Sequence, residues 1–176
     1  SARAALQKLA DDSNANPRHR ARAFWVLGKS GSPRQAAAAA ERAMETGNAD
    51  LRIVGLRLAR QIEYDLVVAI SRLVEDPSPR VRRECLVALK TTKSPVAPRL
   101  WARLAAGYDG RDRWYLEALG IAADGRWDAC LAAWNKQAPD AADSVAGRRI
   151  TWRSRGSGTA ARLAEIISDA RTPTAE

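Results

Sequence analysis

Few residues in this chain have side chains of the types that do chemistry. The 176 residues include one histidine, His19, and two cysteines, Cys85 and Cys130. A hydrolase triad would have to use His19 as its base, and His19 has no partner at the spacing of a zinc site. The cysteines lack a Cys-x-x-Cys pattern and fall in apolar helical stripes, which predicts buried thiols. We therefore expect no metal or other cofactor and predict that the chain is not an enzyme.

A glycine-rich segment is a candidate for an anion site. The segment Arg155-Gly-Ser-Gly158-Thr159 precedes a predicted helix over residues 160–170 and could present backbone N–H groups to an anion. It lacks the preceding strand and the lysine of a phosphate-binding loop. The segment is therefore predicted to be a turn followed by a helix N-cap.

Helix breakers divide the chain at regular intervals. Between them, runs of about 10 to 15 residues carry apolar side chains at helical spacing, as in Leu51, Val54, Leu58 and Ile62. Sustained alternation is absent, and the composition of the runs favours helix over strand. The pattern predicts about eleven helices and no strand. The breakers are Asn16-Pro17, Gly31-Ser32-Pro33, Gly47-Asn48, Asp76-Pro77-Ser78-Pro79, Ser94-Pro95, Gly107 to Gly110, Asp124-Gly125, Pro139 and Gly156 to Gly158.

Composition sets the broad class of the protein. Hydrophobic residues make up 46% of the chain and charged residues 28%, and no window approaches the ~20 apolar residues of a membrane span. We expect one ordered domain with no membrane insertion. The 29 Lys and Arg exceed the 20 Asp and Glu, for a net charge of +9. This excess favours an acidic partner, although a coding bias toward Arg and Ala produces the same composition.

The helices follow a repeat of about 30 residues. The segments 20–27, 52–59 and 82–89 each begin with Arg and carry a small residue at the fourth place and a large apolar residue at the fifth. A fourth unit around Asp112 keeps the pattern with a shifted Arg, and a fifth around Arg149 is looser. One hairpin cannot bury its apolar face alone, so neighbouring hairpins must stack. The fold class predicted is all-α, an α-solenoid of about five helical hairpins.

One turn resembles a known repeat family. The segment Asp76-Pro-Ser-Pro-Arg-Val81-Arg82 resembles the signature of HEAT repeats, in which a turn Asp is followed by a Val and an Arg that open the second helix. Asn14 and Thr46 occupy the Asp place in two other units. The resemblance implies a right-handed α-solenoid of HEAT-like hairpins over residues 1–171, with a tail at 172–176.

Three further segments resemble a narrower group. Residues 25–28, 109–120 and 150–155 are similar to the HEAT-like segment of large exported bacterial proteins, in which it lies between a sugar-dehydrogenase-like β-propeller and a c-type cytochrome domain. This resemblance implies a non-catalytic middle domain cut from a longer protein, which positions neighbouring domains or binds a protein partner. It also implies an exported, periplasmic or cell-surface location. We expect a monomer.

The repeated arginines have a structural and a binding interpretation. The HEAT resemblance implies that Arg20, Arg52 and Arg82 bond to Asp76 and to turn carbonyls, forming a ladder along the stack. The alternative is an inner surface on which these guanidiniums bind phosphate. Less regularly placed residues are better candidates for an Arg-rich concave face that binds a protein or anionic partner. These candidates are Arg22, Arg57, Arg83, Arg113, Arg149 and Trp114.

The six tryptophans are spaced to fill grooves between helices, and we expect most of them in the core. The alternative is nucleic-acid binding, with Trp101, Trp114 and Trp152 stacking on bases. HEAT-like glycosylases for alkylated DNA bases combine a basic concave face with aromatic residues and one carboxylate. Asp109 or Asp112 beside Trp114 could supply that carboxylate, but both also have the pattern of turn and helix-start residues.

Overall fold

The computed structural model describes residues 1–169, and within that range the fold is all-α with no strand. Eleven α-helices are present in the described part, in agreement with the predicted number of about eleven, together with one 3-10 helix at Pro139–Asp143. The predicted tail at 172–176, and residues 170 and 171 before it, lie outside the described residues. The helices are α1 (Ala2–Asp11), α2 (Pro17–Lys29), α3 (Pro33–Met44), α4 (Ala49–Gln61), α5 (Leu66–Leu73), α6 (Pro79–Leu89), α7 (Ala97–Ala106), α8 (Arg113–Ala123), α9 (Trp127–Gln137), α10 (Val145–Arg153) and α11 (Thr159–Ser168).

Local sequence explains where the helices begin. Helices α2, α3 and α6 each start at a proline, whose missing N–H is no loss in the first turn. Asn16 and Asn48 accept backbone N–H groups of the helices they precede, and Ser32 forms a reciprocal capping box with Gln35. These caps fix the starts of the helices at the predicted breakers. Ser94-Pro95 differs, because α7 begins later, at Ala97.

The chain forms two compact units, the first spanning Ser1–Thr92 and the second starting at Lys93. In the first unit the helices pack as the pairs α1 with α2, α3 with α4, and α5 with α6. The second helices of these pairs are also neighbours, since α4 packs on both α2 and α6. Phe24, Leu56 and Leu86, which occupy the large apolar place of the repeat, are fully buried. The repeat register therefore places equivalent residues in the core of this unit.

Gly55 allows the close approach of α4 to α3. A Cβ atom at this position would lie 2.7 Å from the carbonyl oxygen of Ala40 and 2.7 Å from the backbone nitrogen of Met44. Backbone atoms cannot move aside as the end of a flexible side chain can. The small residue at the fourth place of this repeat unit is therefore required by helix packing.

The second unit is built around aromatic residues. Helix α7 packs on α8 and α9, α8 on α10, and α10 on α11. The buried Trp101 indole donates its N–H to the carbonyl of Leu119 at 2.9 Å and lies edge-on to Trp127, with 5.9 Å between ring centroids. The Tyr115 hydroxyl donates to the carbonyl of Leu104 at 2.8 Å. Each of these polar groups is buried with its hydrogen bond made, as a stable core requires.

The expectation of a core position holds for three tryptophans and is wrong for the other three. Trp101, Trp127 and Trp134 are buried, whereas Trp25, Trp114 and Trp152 are 38%, 70% and 66% exposed. Trp25 directly follows buried Phe24, and successive helical residues point about 100° apart. A tryptophan beside a core position thus faces outward. No helix among residues 1–169 has the length and apolar character needed to cross a membrane.

Arg52 links two turns of the first unit. Arg52 donates from Nε and Nη2 to the two carboxylate oxygens of Asp76, at 2.6 and 2.8 Å, and from Nη1 to the carbonyl of Thr46 at 3.0 Å. Asp76 also accepts the Ser78 N–H at 2.9 Å. Arg52 therefore connects the turn before its own helix to the turn before α6, and the hydrogen bond to Asp76 raises the pKa of its guanidinium.

Arg20 and Arg82 bond within their own hairpins. Arg20 is buried and donates from Nε to the carbonyl of Ala10 at 3.0 Å. Arg82 donates from Nη1 to the carbonyls of Asp76 and Pro77, at 2.5 and 3.3 Å. The guanidinium groups of Arg20, Arg52 and Arg82 all donate hydrogen bonds to groups of the protein itself. Their geometry therefore does not support the alternative in which they bind phosphate.

The Arg52–Asp76 pair can be tested against an exposed pair. Because the Asp76 carboxylate is buried, Asp76→Asn leaves Arg52 uncompensated, and we expect a loss of about 3 kcal/mol in the free energy of unfolding. The matched control is Asp50→Asn, which breaks an exposed pair with Arg80 and should cost at most about 1 kcal/mol. Urea denaturation measures both variants, and equal losses would contradict the structural role of Asp76.

The packing role of Gly55 is testable with a second pair of variants. Gly55→Ala forces a Cβ into the backbone of α3, and we expect it to lower the free energy of unfolding by about 2 kcal/mol despite the higher helix propensity of alanine. At Gly47 an added Cβ meets no atom within 4 Å, so Gly47→Ala should change stability by less than about 0.5 kcal/mol. A neutral or stabilising Gly55→Ala in the same denaturation experiment would show that the two helices do not approach so closely.

Candidate functional site

The predicted binding residues fall in both units. Arg22 and Arg57 lie on neighbouring helices of the first unit and line one groove, whereas Arg83 lies half-buried on α6. In the second unit, Arg113 and Trp114 are exposed at the start of α8, and Arg149 is exposed on α10. Of the predicted set, the structure therefore brings Arg22 and Arg57 together at one groove.

That groove, here called the α2–α4 groove, is lined by Ala21, Arg22, Trp25, Val54 and Arg57. Its volume is about 260 Å³. The lining combines apolar side chains with two guanidinium groups. On each of the two helices, one arginine and one apolar residue lie three positions apart and therefore share a face. The repeat aligns Arg22 of α2 with Val54 of α4, and Trp25 of α2 with Arg57 of α4. The same two positions of the repeat therefore line the groove from both helices.

The charge of the groove is only partly balanced by the protein. Arg57 donates from Nη2 to Oε2 of Glu84 at 2.8 Å, and Arg60 Nη1 lies 3.6 Å from Oε1 of the same carboxylate. The hydrogen bond to Glu84 raises the pKa of Arg57, whose side chain is nevertheless 60% exposed. Two guanidiniums share one carboxylate, so this cluster has an excess positive charge at the mouth of the groove.

Trp25 is the groove residue that sequence analysis placed in the core. Its indole is partly exposed, and Lys29 Nζ lies 5.9 Å from the ring centroid, within the range of a cation–π interaction. The repeat register could have identified this position, because Trp25 aligns with the exposed Arg57 and not with a core residue. Glu84 and Val54 were also missed as parts of the site.

In the second unit, the exposed aromatic residues have cationic neighbours. Trp114 and Trp152 expose most of their surface, and Arg113 directly precedes Trp114. Arg149 lies near the phenol of Tyr108: burial raises the pKa of that phenol, and the charge of Arg149 acts in the opposite direction. Trp101, proposed with Trp114 and Trp152 as a base-stacking residue, is fully buried and cannot stack on a nucleic-acid base.

The two candidate carboxylates hold local structure. Asp112 accepts the backbone N–H groups of Trp114 and Tyr115, at 2.9 and 3.1 Å, and so caps α8. Asp109 accepts the N–H groups of Arg111 and Asp112, at 2.8 and 3.2 Å, and these bonds lower the pKa of its carboxyl. Both carboxylates thus have the turn and cap geometry that their sequence context indicates.

The glycine-rich segment binds a carboxylate of the protein itself. Oδ1 of Asp128 accepts the backbone N–H of Ser157 at 2.7 Å and its hydroxyl at 3.1 Å. Helix α11 begins just after, at Thr159, with Gly158 as its N-cap residue. The segment is the predicted turn and helix start, and an Asp128 oxygen occupies the position that an external anion would take.

The nucleophilic and metal-ligating side chains are dispersed. Cys85 and Cys130 are both fully buried free thiols, as predicted, and burial raises the pKa of Cys85 and raises that of Cys130 to about 12. His19 is exposed at the start of α2. Within residues 1–169, no three His, Cys, Asp or Glu side chains come together as metal ligands would.

Compared with protein-family models, with curated proteins and with solved structures, the chain matches none. The resemblance to HEAT repeats therefore depends on the sequence pattern around Asp76 and on the register of the repeated arginines.

Proposed function

We propose that the chain is a non-catalytic, HEAT-like scaffold or interaction domain of a larger protein, and that its α2–α4 groove binds an acidic segment of a protein partner. The groove carries the proposal, because it combines a partly exposed indole, Trp25, with guanidiniums that the protein does not fully neutralise. Aromatic and arginine side chains are enriched among residues that dominate binding energy at protein interfaces.

The packing of the first unit supports the HEAT-like part of the proposal. Helices α2, α4 and α6 are neighbours, and each pairs with the helix before it. A right-handed α-solenoid extends that arrangement by repetition, with the second helix of each hairpin on the inner, concave face. The α2–α4 groove lies between two such second helices and would therefore open onto that face.

The chemistry of the groove favours an acidic segment that also carries an apolar side chain. Carboxylates of the partner would pair with Arg22 and with the exposed part of Arg57, and an apolar side chain would pack on Trp25 and Val54. Charge would raise the rate of encounter, and the apolar contact would prolong the complex. The neighbouring domains of a longer parent chain, or a separate protein, could supply this segment to a monomeric module.

A charge-reversal pair tests the groove. The probe is a fluorescein-labelled peptide of Glu, Asp and Leu, and binding is measured by fluorescence anisotropy at low ionic strength. We expect Arg22→Glu to weaken binding about tenfold, because it places a like charge against the peptide. The control is Arg34→Glu, an equal charge change at an exposed position on α3, which should weaken binding less than about twofold.

Trp25→Ala adds the apolar half of the test. We expect a loss of affinity that persists at high salt, since it removes apolar contact and not charge. If Arg22→Glu and Arg34→Glu weaken binding equally, the peptide responds to net charge alone and the groove is not the site. If the unlabelled wild-type protein does not bind the peptide at all, the proposed partner class is wrong.

Nucleic-acid binding is the second candidate, and the exposure of Trp114 and Trp152 favours it. Exposed indoles beside arginines can stack on unpaired bases while the cations contact phosphates. Binding of this kind must weaken steeply with salt, with log K linear in log salt concentration. An alkylated-base glycosylase would need a free carboxylate in addition, and Asp109 and Asp112 are both engaged by backbone N–H groups.

A single-stranded DNA titration separates the two candidates. Under our proposal, Trp114→Ala leaves the weak, charge-driven affinity for a 20-nucleotide probe unchanged within about twofold. A base-stacking site would instead lose about fivefold or more, because stacking on one base contributes about 1–3 kcal/mol. Trp25→Ala serves as the control in the same assay, and a large loss at Trp114 alone would favour the nucleic-acid candidate.

A further inference from the structure

The α2–α4 groove is short. Its lining residues run from Ala21 to Trp25 on α2 and from Val54 to Arg57 on α4, which is about one helical turn, or about 6 Å, along each helix. The axes of two packed helices lie about 8–10 Å apart. Because an extended chain advances about 3.3 Å per residue, the groove contacts about two or three residues of a partner, whichever way the partner runs.

The side chains that line the groove offer hydrogen-bond donors and no acceptor. Arginine carries N–H donors only, the Trp25 indole has a single N–H, and Ala21 and Val54 have no polar side-chain atom. The backbone carbonyls inside a helix are used by the N–H groups of the next turn. An internal peptide segment brings its own N–H donors, which the lining side chains cannot accept. A group that only accepts, such as a carboxylate, matches this lining.

The groove also carries more positive charge than one carboxylate of a partner can balance. Three guanidiniums, those of Arg22, Arg57 and Arg60, lie at the groove or its mouth, and Glu84 pairs with two of them. This cluster therefore has two more positive than negative charges. Lys29, whose Nζ lies over the indole of the groove, adds to the excess. A matching ligand has to bring at least two negative charges within two or three residues.

A chain end meets these requirements better than an internal segment does. A C-terminal Asp or Glu carries two carboxylates on one residue, and its terminal carboxylate stands where an internal segment would continue with another N–H donor. The residue before it is then available for apolar contact with Trp25 and Val54. An internal segment reaches the same charge only with two acidic residues, and its backbone N–H groups continue on both sides of them.

We propose that the α2–α4 groove binds the C-terminal end of a partner chain that finishes in an apolar residue followed by Asp or Glu. One carboxylate pairs with Arg22 and the other with Arg57, whose side chain is 60% exposed, while the apolar side chain packs on Trp25 and Val54. This inference rests on the proposed function, because it names the part of the partner that the same groove holds.

Three labelled peptides test the chain end on the wild-type protein. Each carries fluorescein at its N-terminus and ends in Leu-Glu. The first has a free C-terminal carboxylate, the second a C-terminal amide, and the third the amide with an additional internal Glu that restores the net charge of the first. By fluorescence anisotropy at low ionic strength, we expect the free acid to bind about tenfold more tightly than the amide, the effect of one charge-assisted hydrogen bond. The third peptide should bind less than about threefold more tightly than the amide.

The first and third peptides separate a chain end from net charge. Equal affinities for these two peptides would overturn the inference, and no variant has to fold for that result. If the internal peptide of Glu, Asp and Leu still responds to Arg22→Glu in that case, the groove binds an internal acidic segment and the proposed function stands. An amidated peptide with an internal phosphoserine is a fourth probe. Binding as tight as that of the free acid would show that any compact dianion suffices, which also overturns the chain-end assignment.

Variants locate the terminal carboxylate. We expect Arg57→Gln to reduce the preference for the free acid over the amide to less than about threefold, because it removes a guanidinium of the groove while Arg60 remains beside Glu84. The control Arg34→Gln removes an equal charge from an exposed position on α3 and should keep the full preference. A preference that survives unchanged in both Arg22→Gln and Arg57→Gln would place the terminal carboxylate outside the groove and contradict the proposal.

Discussion

The buried contact between Arg52 and Asp76 is the constraint that orders the first unit. One guanidinium binds both carboxylate oxygens of the following turn and also the carbonyl of the turn before its own helix. This geometry fixes the distance and rotation between consecutive hairpins, since a bidentate pair tolerates little displacement. The helices that it aligns, α4 and α6, are the ones that position Arg57 over Glu84. The charge at the mouth of the α2–α4 groove therefore depends on the same contact.

Much of the fold could be predicted from the sequence because its signals are local. The Asn or Ser caps before α2, α3 and α4, and the prolines that open α2 and α3, determine where those helices begin, and each signal acts within one turn of its own residue. The helical spacing of apolar residues is also a local signal, and it identified the buried residues Phe24, Leu56 and Leu86 of the repeat. The assembly of the chain into two compact units was not predicted, because it depends on how many contacts form between distant segments.

The candidate sites were predictable only in part. Arg22 and Arg57 were identified as arginines outside the repeated places, but the sequence does not show that helix packing brings them to one groove. Trp25 was assigned to the core because it is apolar and directly follows Phe24, a core residue. Apolar character and helical spacing alone do not distinguish a residue that lines a surface groove from one that lies in the core.

The most direct test of the central claim is to locate the acidic peptide on the wild-type protein. Proton–nitrogen spectra of the labelled chain, recorded during titration with the unlabelled peptide of Glu, Asp and Leu, report which residues it contacts. The account predicts saturable shifts of the Trp25 indole and of backbone amides around Arg22 and Val54, with Trp114 and Trp152 unaffected. Shifts spread evenly over the arginines of both units, or concentrated at Trp114 and Trp152, would contradict it.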